Sequence, residues 1–585
     1  MLNLKLPKKS EINLALASFS KKEKIFFAAL ALVLFVSTIG ILQSINKSFM
    51  VSVPLRGGSV SLGVVDTPRF INPILANSQA DQSMVSFIYS GLMRKSADGT
   101  LLPDLASKYE KSKDGLTYTF TLKDKIYFHD GEPVTVDDVI FTITKVKDSV
   151  IKSPYKVNWE GVGIEKVDEK TIKFILKQPF ASFLENTTLG IMPAHIWDGT
   201  PVELNNANTA PIGSGPYMIK SASKQSSGII DSFKLESFDK FALGKPYIEN
   251  INLHFYKNEE EATLALRNQT IDQISSITPE NAETLRALGY TVDSAVLPRV
   301  FGLFFNQNAN NLFVDKSVVK AIDQAIDKEK IVKEVLSGYG VVIDNPIPPN
   351  TLAYQKSTST SNISRKDILQ KVRNDLAKAG WKAGADGFLE KAEKKSAKGG
   401  SASGGKGTTT TKLEFSISTG NVPELARTAE LIKQDLAEVG IKVDVKTFET
   451  GNLNQSVIRP RKYEALLFGQ IINHESDLFA FWHSSQRNDP GLNIAMYTNT
   501  KVDKILESAS ITVSEEERLK KYIQFEDEIR KDMPAVFLYS PNLIYVVSKD
   551  LKNFKVDQIT TPADRYANAY LWYEDVENVW GIFAK

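Results

Sequence analysis

The densest grouping of histidine and carboxylate side chains is His474, Glu475, Asp477 and His483. A metal site would need several of these to converge, and the segment lacks the His-Glu-x-x-His helical spacing of zinc proteases. They therefore read as polar loop residues, and no metal is assigned. His129, His195 and His254 are scattered along the chain and read as structural. Gly213-Ser214-Gly215 lacks the flanks of a Gly-x-Ser-x-Gly nucleophile elbow. There is no Gly-x-x-x-x-Gly-Lys-Ser/Thr loop, so no P-loop nucleotide site is assigned to the chain. Cysteine is absent, which removes disulfides, thiolate metal sites and thiol nucleophiles together. No catalytic residue and no cofactor is assigned; the chemistry expected of the chain is binding.

The charge is placed unevenly. Of 71 basic and 69 acidic side chains, residues 1–24 hold six lysines and two glutamates, a local +4. The remainder carries 65 basic against 67 acidic groups, a net −2, which gives no global electrostatic reason to bind nucleic acid. After the lysines comes Ile25–Leu42, 18 residues without a charge, extendable through Gln43–Ile45. At 1.5 Å per residue this run covers most of a bilayer core of about 30 Å. The flanking lysines predict an N-terminus inside and a body outside. A cleaved signal peptide is the competing reading. Its apolar core is usually about 7–15 residues, shorter than this one, so an uncleaved anchor is favoured.

The rest of the chain alternates strand and helix patterns around 585 residues' worth of ordinary globular composition. Residues 43–58 read as a polar stalk, and Ser59–Val65 as a first strand. Helical spacing marks Val85–Leu92, Val136–Lys147 (capped by Thr135), Val318–Leu336 (ended by Gly338), Glu424–Val439 and Glu515–Lys531. Strands are expected at Leu116–Leu122, Thr171–Leu176, Phe301–Phe305, Ile441–Phe448, Ala465–Phe468 and Ala535–Tyr539, with another leading from Tyr217. Lys391–Thr411, a Lys/Gly/Ser/Thr tract, has too little apolar surface to order itself and reads as a surface loop within one domain rather than a linker.

Several segments, in order, resemble the bacterial family 5 extracellular solute-binding proteins, the dipeptide/oligopeptide/nickel group of ABC importers. They are Tyr89-Ser90-Gly91-Leu92, Leu102-Pro103-Asp104-Leu105-Ala106, Asp114-Gly115-Leu116-Thr117-Tyr118-Thr119-Phe120 and Phe128-His129-Asp130-Gly131-Glu132-Pro133-Val134-Thr135. Asp137-Asp138-Val139, Gly213-Ser214-Gly215-Pro216-Tyr217, Phe305-Asn306, the Val318–Val335 helix, Ala379-Gly380-Trp381 and Gly440-Ile441-Lys442-Val443 follow. Each is weak alone; collinear over about 500 residues they are specific. Most have a local backbone meaning, as turns, caps or close approaches, so they identify a fold without naming a pocket.

The resemblance implies an α/β, two-lobed periplasmic-binding-protein-like fold of type II with an extra subdomain, preceded by one transmembrane helix. The implied division is a basic tail 1–24, an anchor 25–45 and a stalk 46–58. Lobe I comprises 59–82, 196–300 and 536–585, the extra subdomain 83–195, and lobe II 301–535 with a flexible loop 391–411. It also implies capture of a peptide or peptide-like solute between the lobes by a monomer, which delivers it to an ABC permease and its ATPase subunits. Ligand candidates are Asn77 and Gln79 after the first strand, Phe301 and Gly302, and Gln470, Asn473, His474 and Trp482. Peptide-binding relatives place an Asp in this last segment against the peptide ammonium, whereas an ungapped match puts Ile472 there. Burying an ammonium without a counter-charge costs several kcal/mol, so either the register slips or the ligand class differs. A blocked or longer peptide, a wall fragment or a glycan remains open, as do a surface sensor and a tethered hydrolase. Trp482 could stack on a sugar or belong to the core.

Overall fold

A computed structural model of the chain describes residues 9–349, 351, 353–354, 363–394, 408–472 and 477–583. It divides into two compact units, residues 58–572 and a second one made of residues 1–57 with 573–585.

In the second unit the helix Lys21–Phe49 is 29 residues long, has no buried residue, and starts on a Ser20–Glu23 capping box. Among the described residues it is the helix long and apolar enough to cross a membrane. The expected stalk is structured. Helix continues to Phe49, and Met50–Pro54 forms an antiparallel ladder with Val576–Trp580, from Met50 opposite Trp580 to Pro54 opposite Val576. Residues 573–585, expected in lobe I, group here because that ladder supplies their strand partner.

The body is organised by one long path of strands. From one edge it runs Lys442–Phe448, Glu414–Gly420, Ala465–Ile471, Arg299–Phe305, Ala535–Val546, Gln273–Ser275, Gly57–Val65, Ile248–Tyr256, Ile230–Ser237 and Tyr217–Lys224. Ala535–Val546 is shared by both halves. Its start pairs with Arg299–Phe305 (Phe301 opposite Tyr539) and its end with Val292–Val296 (Val292 opposite Val546) and with Gln273–Ser275. The expectation of a strand ending at Tyr539 stopped seven residues short.

Alternation puts Leu303 and Phe305 into one core and Val300 and Phe304 into another, on the two faces of the first half-sheet. A separate apolar cluster between Ile74 and Ala207 surrounds a four-stranded sheet, Ala106–Lys111, Thr117–Leu122, Thr171–Ile175 and Gly163–Lys166. The helix Val136–Lys147 packs there. Thr135 caps it, and the Asp138 carboxylate accepts from the Thr135 and Ala194 amides.

Two helices depart from expectation. The first runs Gln79–Ile88, not Val85–Leu92, because the Ser78 hydroxyl accepts from the Asp81 amide and starts it earlier. The long Val318–Leu336 helix is two, Lys316–Ala325 and Lys328–Val335. Between them Ile326 is extended, the Asp327 side chain caps the second helix, and the Asp327 amide donates to buried Asp435 at 2.8 Å. The periodicity carries across the break because both helices bury the same side. The tract 391–411 is also better ordered at its ends than composition implies. Leu389–Lys394 and Thr408–Lys412 pair as antiparallel strands, Glu390 opposite Lys412.

The glycine turn 213–215 is a docking point. A Cβ on Gly213 would lie 2.0 Å from the Ile88 carbonyl oxygen, and one on Gly215 would lie 2.5 Å from that of Phe87. His129 locks the same turn. The Gly213 amide donates to Nδ1 at 3.3 Å, which leaves Nε2–H to donate to the Gly215 carbonyl at 3.1 Å. Burial lowers the His129 pKa to about 4, with the Gly215 bond and Asp130 pulling the other way. The folded value lies below the unfolded one, so this contribution is complete above about pH 6.5 and is lost as pH falls towards 4. Asp104 opposes it: burial raises its pKa to about 6, against Ser90, Lys123 and Arg94, so its contribution declines as pH rises from about 4 to 6. The His129 term is therefore read as a difference between proteins. In urea melts, His129→Asn should be less stable than the parent at pH 7, with the gap closing by about 1–3 kcal/mol by pH 4, after discounting for the ring's partial exposure. A gap independent of pH would contradict the assignment.

Candidate functional site

The strands Arg299–Phe305 and Ala465–Ile471 lie antiparallel, with Arg299 opposite Ile471, Val300 opposite Gln470, Phe301 opposite Gly469 and Gly302 opposite Phe468. Phe301 stacks on Tyr539 from the shared strand, ring centroids 5.0 Å apart and planes 11° apart. Gly469 makes this possible, since a Cβ there would sit 2.6 Å from the Phe301 ring. Gly302 is the residue the neighbouring strand needs: its Cβ would lie 3.0 Å from the Val536 carbonyl oxygen. Arg299, Phe301, Gly469 and Ile471 thus occupy one face at the end of two adjacent strands, and Ile471 is about half exposed.

Gln79 stands at the other half of the sheet. Its amide exchanges hydrogen bonds with the Ser276 hydroxyl, Nε2 donating at 2.9 Å and Oε1 accepting at 3.1 Å. Ser276 has φ +60°, the left-handed region that a non-glycine residue adopts with strain, and its amide is held by the Ile544 carbonyl at 2.9 Å. It follows Gln273–Ser275, in which Ser275 pairs with Tyr545. Tyr539 and Tyr545 are six residues apart on the shared strand, so the two groups of candidates attach to one strand about 20 Å apart. Asn77 is exposed next to the capping Ser78. Asn473 and His474 lie outside the described residues.

Trp482 is corrected. It is fully buried, packed at 5.9–6.3 Å between ring centroids against Phe304, Tyr497, Phe525 and Phe537. A ligand does not reach a ring in that position, and its truncation would remove core worth about 3–5 kcal/mol. Ile472 is likewise fully buried in this core, its amide donating to the Pro298 carbonyl at 2.9 Å. It presents neither a counter-charge nor a surface. His483 is buried, with Nδ1 against Ser485 Oγ at 2.8 Å and Nε2 against Glu507 at 3.3 Å, and its ring stacks on Phe479. Both nitrogens are thereby engaged within the protein.

Besides the Trp482 indole N–H and the Ser484 hydroxyl, Gln470 and Arg299 are polar groups of this region without partners among the described residues. Gln470 is 3 % exposed, yet neither Nε2 nor Oε1 has a hydrogen bond. Arg299 is part-buried, burial lowers its pKa, and no carboxylate offsets that cost. Sequence reasoning named Gln470 and missed Arg299. The signal was there: a charged residue immediately before an apolar strand.

A separate cavity of about 350 Å³ lies where the Ile74–Ala207 cluster meets residues 560–570. Asp104, Arg94, Tyr155 and Tyr570 line it, and none of the sequence-derived ligand residues does.

Comparison with known proteins agrees with this architecture. Residues 100–490 match the family described as bacterial extracellular solute-binding proteins, family 5 Middle. The chain belongs to this family. It is 28% identical to the oligopeptide-binding protein AppA of Bacillus subtilis over 540 residues, 90% of this chain and 94% of that one. It is 24% identical to the dipeptide-binding protein of Escherichia coli over 527 residues, 84% of this chain and 91% of that one. The solved structure of the Bacillus subtilis AppA in complex with a nonapeptide superposes with a TM-score of 0.65 at 26% identity, covering 89% of this chain and all of that one. The substrate-binding protein CtaP of Listeria monocytogenes superposes with a TM-score of 0.73 at 24% identity, over 89% of this chain and 99% of that one, and so shares the fold. The fold is therefore the two-lobed, mixed α/β fold of periplasmic binding proteins, and members of the family bind solutes rather than transform them.

An orphaned carboxamide has a measurable consequence. Gln470→Leu removes two unmet groups of nearly the same shape, and should raise the unfolding free energy of the unliganded protein by roughly 1–3 kcal/mol in denaturant melts. A loss of stability would mean that the carboxamide is satisfied in solution.

Proposed function

We propose that the protein captures a peptide or peptide-like solute between the two halves of its sheet and delivers it to an ABC permease with its ATPase subunits. The observation carrying this is the nearly end-to-end match to a protein named for oligopeptide binding, whose fold it shares in that protein's nonapeptide complex. The candidate site supports it. The Phe301–Tyr539 stack offers an apolar floor for side chains, and Gln79 offers an amide group for a peptide backbone.

Ligand charge follows from the same site. Buried Ile472 offers nothing to an ammonium, whereas Arg299 is a desolvated guanidinium with no anion beside it among the described residues. The solute is a peptide held by a carboxylate, its C-terminus or an acidic side chain. With Trp482 in the core, the ring that sequence offered for sugar stacking is gone, which weighs against a glycan. The body works outside the membrane as a monomer, held by an uncleaved helix whose lysine-rich start stays inside.

Thermal unfolding of the full chain in detergent tests this. Peptide pools with free C-termini should stabilise it, by about 2.7 kcal/mol at a hundredfold excess over Kd. C-terminal amidation should shrink the effect where the C-terminal carboxylate is bound, and Arg299→Met should abolish the preference for anionic peptides. Absence of stabilisation by every pool would sink the peptide reading. Equal stabilisation by charged and amidated acid-free peptides would sink the role of Arg299 alone.

A further inference from the structure

We propose that the segment Val576–Trp580, with residues 581–583, forms a second membrane contact, seated in the interfacial layer of the outer leaflet beside the exit of the anchoring helix. The inference rests on reading Lys21–Phe49 as a membrane span, and its own basis is the register of the small sheet. Val576–Trp580 pairs antiparallel with Met50–Pro54, the residues that follow the helix without a break. Ser52 Oγ donates to Asn578 Oδ1 at 2.7 Å, and the Gly581 amide donates to the Phe49 carbonyl at 3.0 Å. Trp580 is therefore fixed at the level of the last helical turn, its ring stacked with that of Phe49 at 6.1 Å and 14°.

That level is set by arithmetic on the helix. The apolar run Ile25–Ile45 covers about 31 Å, the thickness of a hydrocarbon core, so Phe49 lies about 6 Å beyond it. This is the headgroup layer, where tryptophan and other aromatic side chains concentrate and where Lys47 can place its ammonium among phosphates. The side chains at this height match that solvent. Phe49 is 59% exposed, Trp580 43%, Ile582 78% and Phe583 72%. In water these would be an apolar patch without a partner; in the interface they are covered by lipid. The partner is thus the bilayer itself, and continuity with the span argues for it over a protein. The strand pairing then joins the two ends of the chain at the membrane surface.

Fluorescence isolates the contact, because Trp580 is the exposed tryptophan of six; the other five are at most 3% exposed. The full chain is reconstituted into phosphatidylcholine–phosphatidylglycerol vesicles carrying bromine or nitroxide at graded acyl depths, and flotation is measured on the same samples. The parent minus Trp580→Phe difference emission reports this residue. The expected result is flotation together with quenching roughly twofold stronger from labels near the headgroup than from chain ends. The double variant Ile582→Ser/Phe583→Ser should float equally and lose much of the quenching. A chain that floats with Trp580 unquenched at every depth overturns the second contact. A chain that fails to float overturns the span reading, and the second contact with it.

Discussion

Everything that positions the binding site depends on one strand serving two half-sheets. Ala535–Val546 is antiparallel to Arg299–Phe305 at its start and to Val292–Val296 at its end, and the latter two are consecutive in the chain. Two antiparallel strands therefore cross between the halves side by side. At the crossing, Leu297-Pro298 faces Ser540-Pro541. Each proline lacks an N–H, so the ladder is interrupted at the same level in both strands. The crossing is held by the Leu297 amide donating to the Pro541 carbonyl at 3.1 Å, the buried Ser540 hydroxyl donating to the Leu297 carbonyl at 2.7 Å, and Gly340–Val342 pairing along Tyr539–Pro541. The direct ladder between these two strands is thinned at this level, with Gly340–Val342 spanning it on the shared strand, and the candidate ligand residues lie within a few residues of it on either side.

Stability is withheld at these same positions. Among the described residues, Gln470 buries a carboxamide without partners, Arg299 carries a desolvated charge without a counter-ion, and Ser276 holds a strained backbone against Gln79. None of these is explained by folding alone, since an apolar residue or a glycine would relieve each. Arg299 and Gln79 are coherent as groups that the proposed solute would engage, whereas Gln470 shares the core face of Val300 and Phe304. The core nearby shows no such deficit in packing: Trp482, Phe304, Phe525 and Phe537 fill it with rings. Elsewhere the protein tolerates polar mismatch too. Asp104 is buried with its Oδ1 unpaired at a cavity that the ligand candidates do not touch, so an orphaned atom marks a site only alongside other observations.

Much of the fold was legible because its signals are local. Thr135 and Asp138 cap their helix as their spacing implies, and the alternation of Thr117–Leu122 is the alternation of its burial. The glycines at 213 and 215 were readable as a close approach, though not that His129 would grip the turn. Failures arose where a local signal and a long-range partner disagree. Ser540-Pro541-Asn542 looks like a turn, and only pairing with strands more than 200 residues away keeps it extended. Asp327 looks like one polar position on a long helix until buried Asp435, a hundred residues on, takes its amide. The site was half legible for the same reason. Phe301 and Gly302 were named from an apolar strand and a family pattern, whereas the orientation of Trp482 into the core and the desolvation of Arg299 depend on what folds against them.

The placement of charge links capture to transport. In the topology proposed above, a body of net −2 would lie outside and a +4 tail inside, and a chain without cysteine would be held by a helix rather than by a lipid on a thiol. Tethering changes the kinetics more than the affinity. A binding protein confined to the plane of its permease meets it by a two-dimensional search at high effective concentration, so each encounter need not be strong. Weak docking in turn suits a carrier that must release its solute and leave. The demand on the body would then be narrow: to hold a solute firmly when closed and to release it when open.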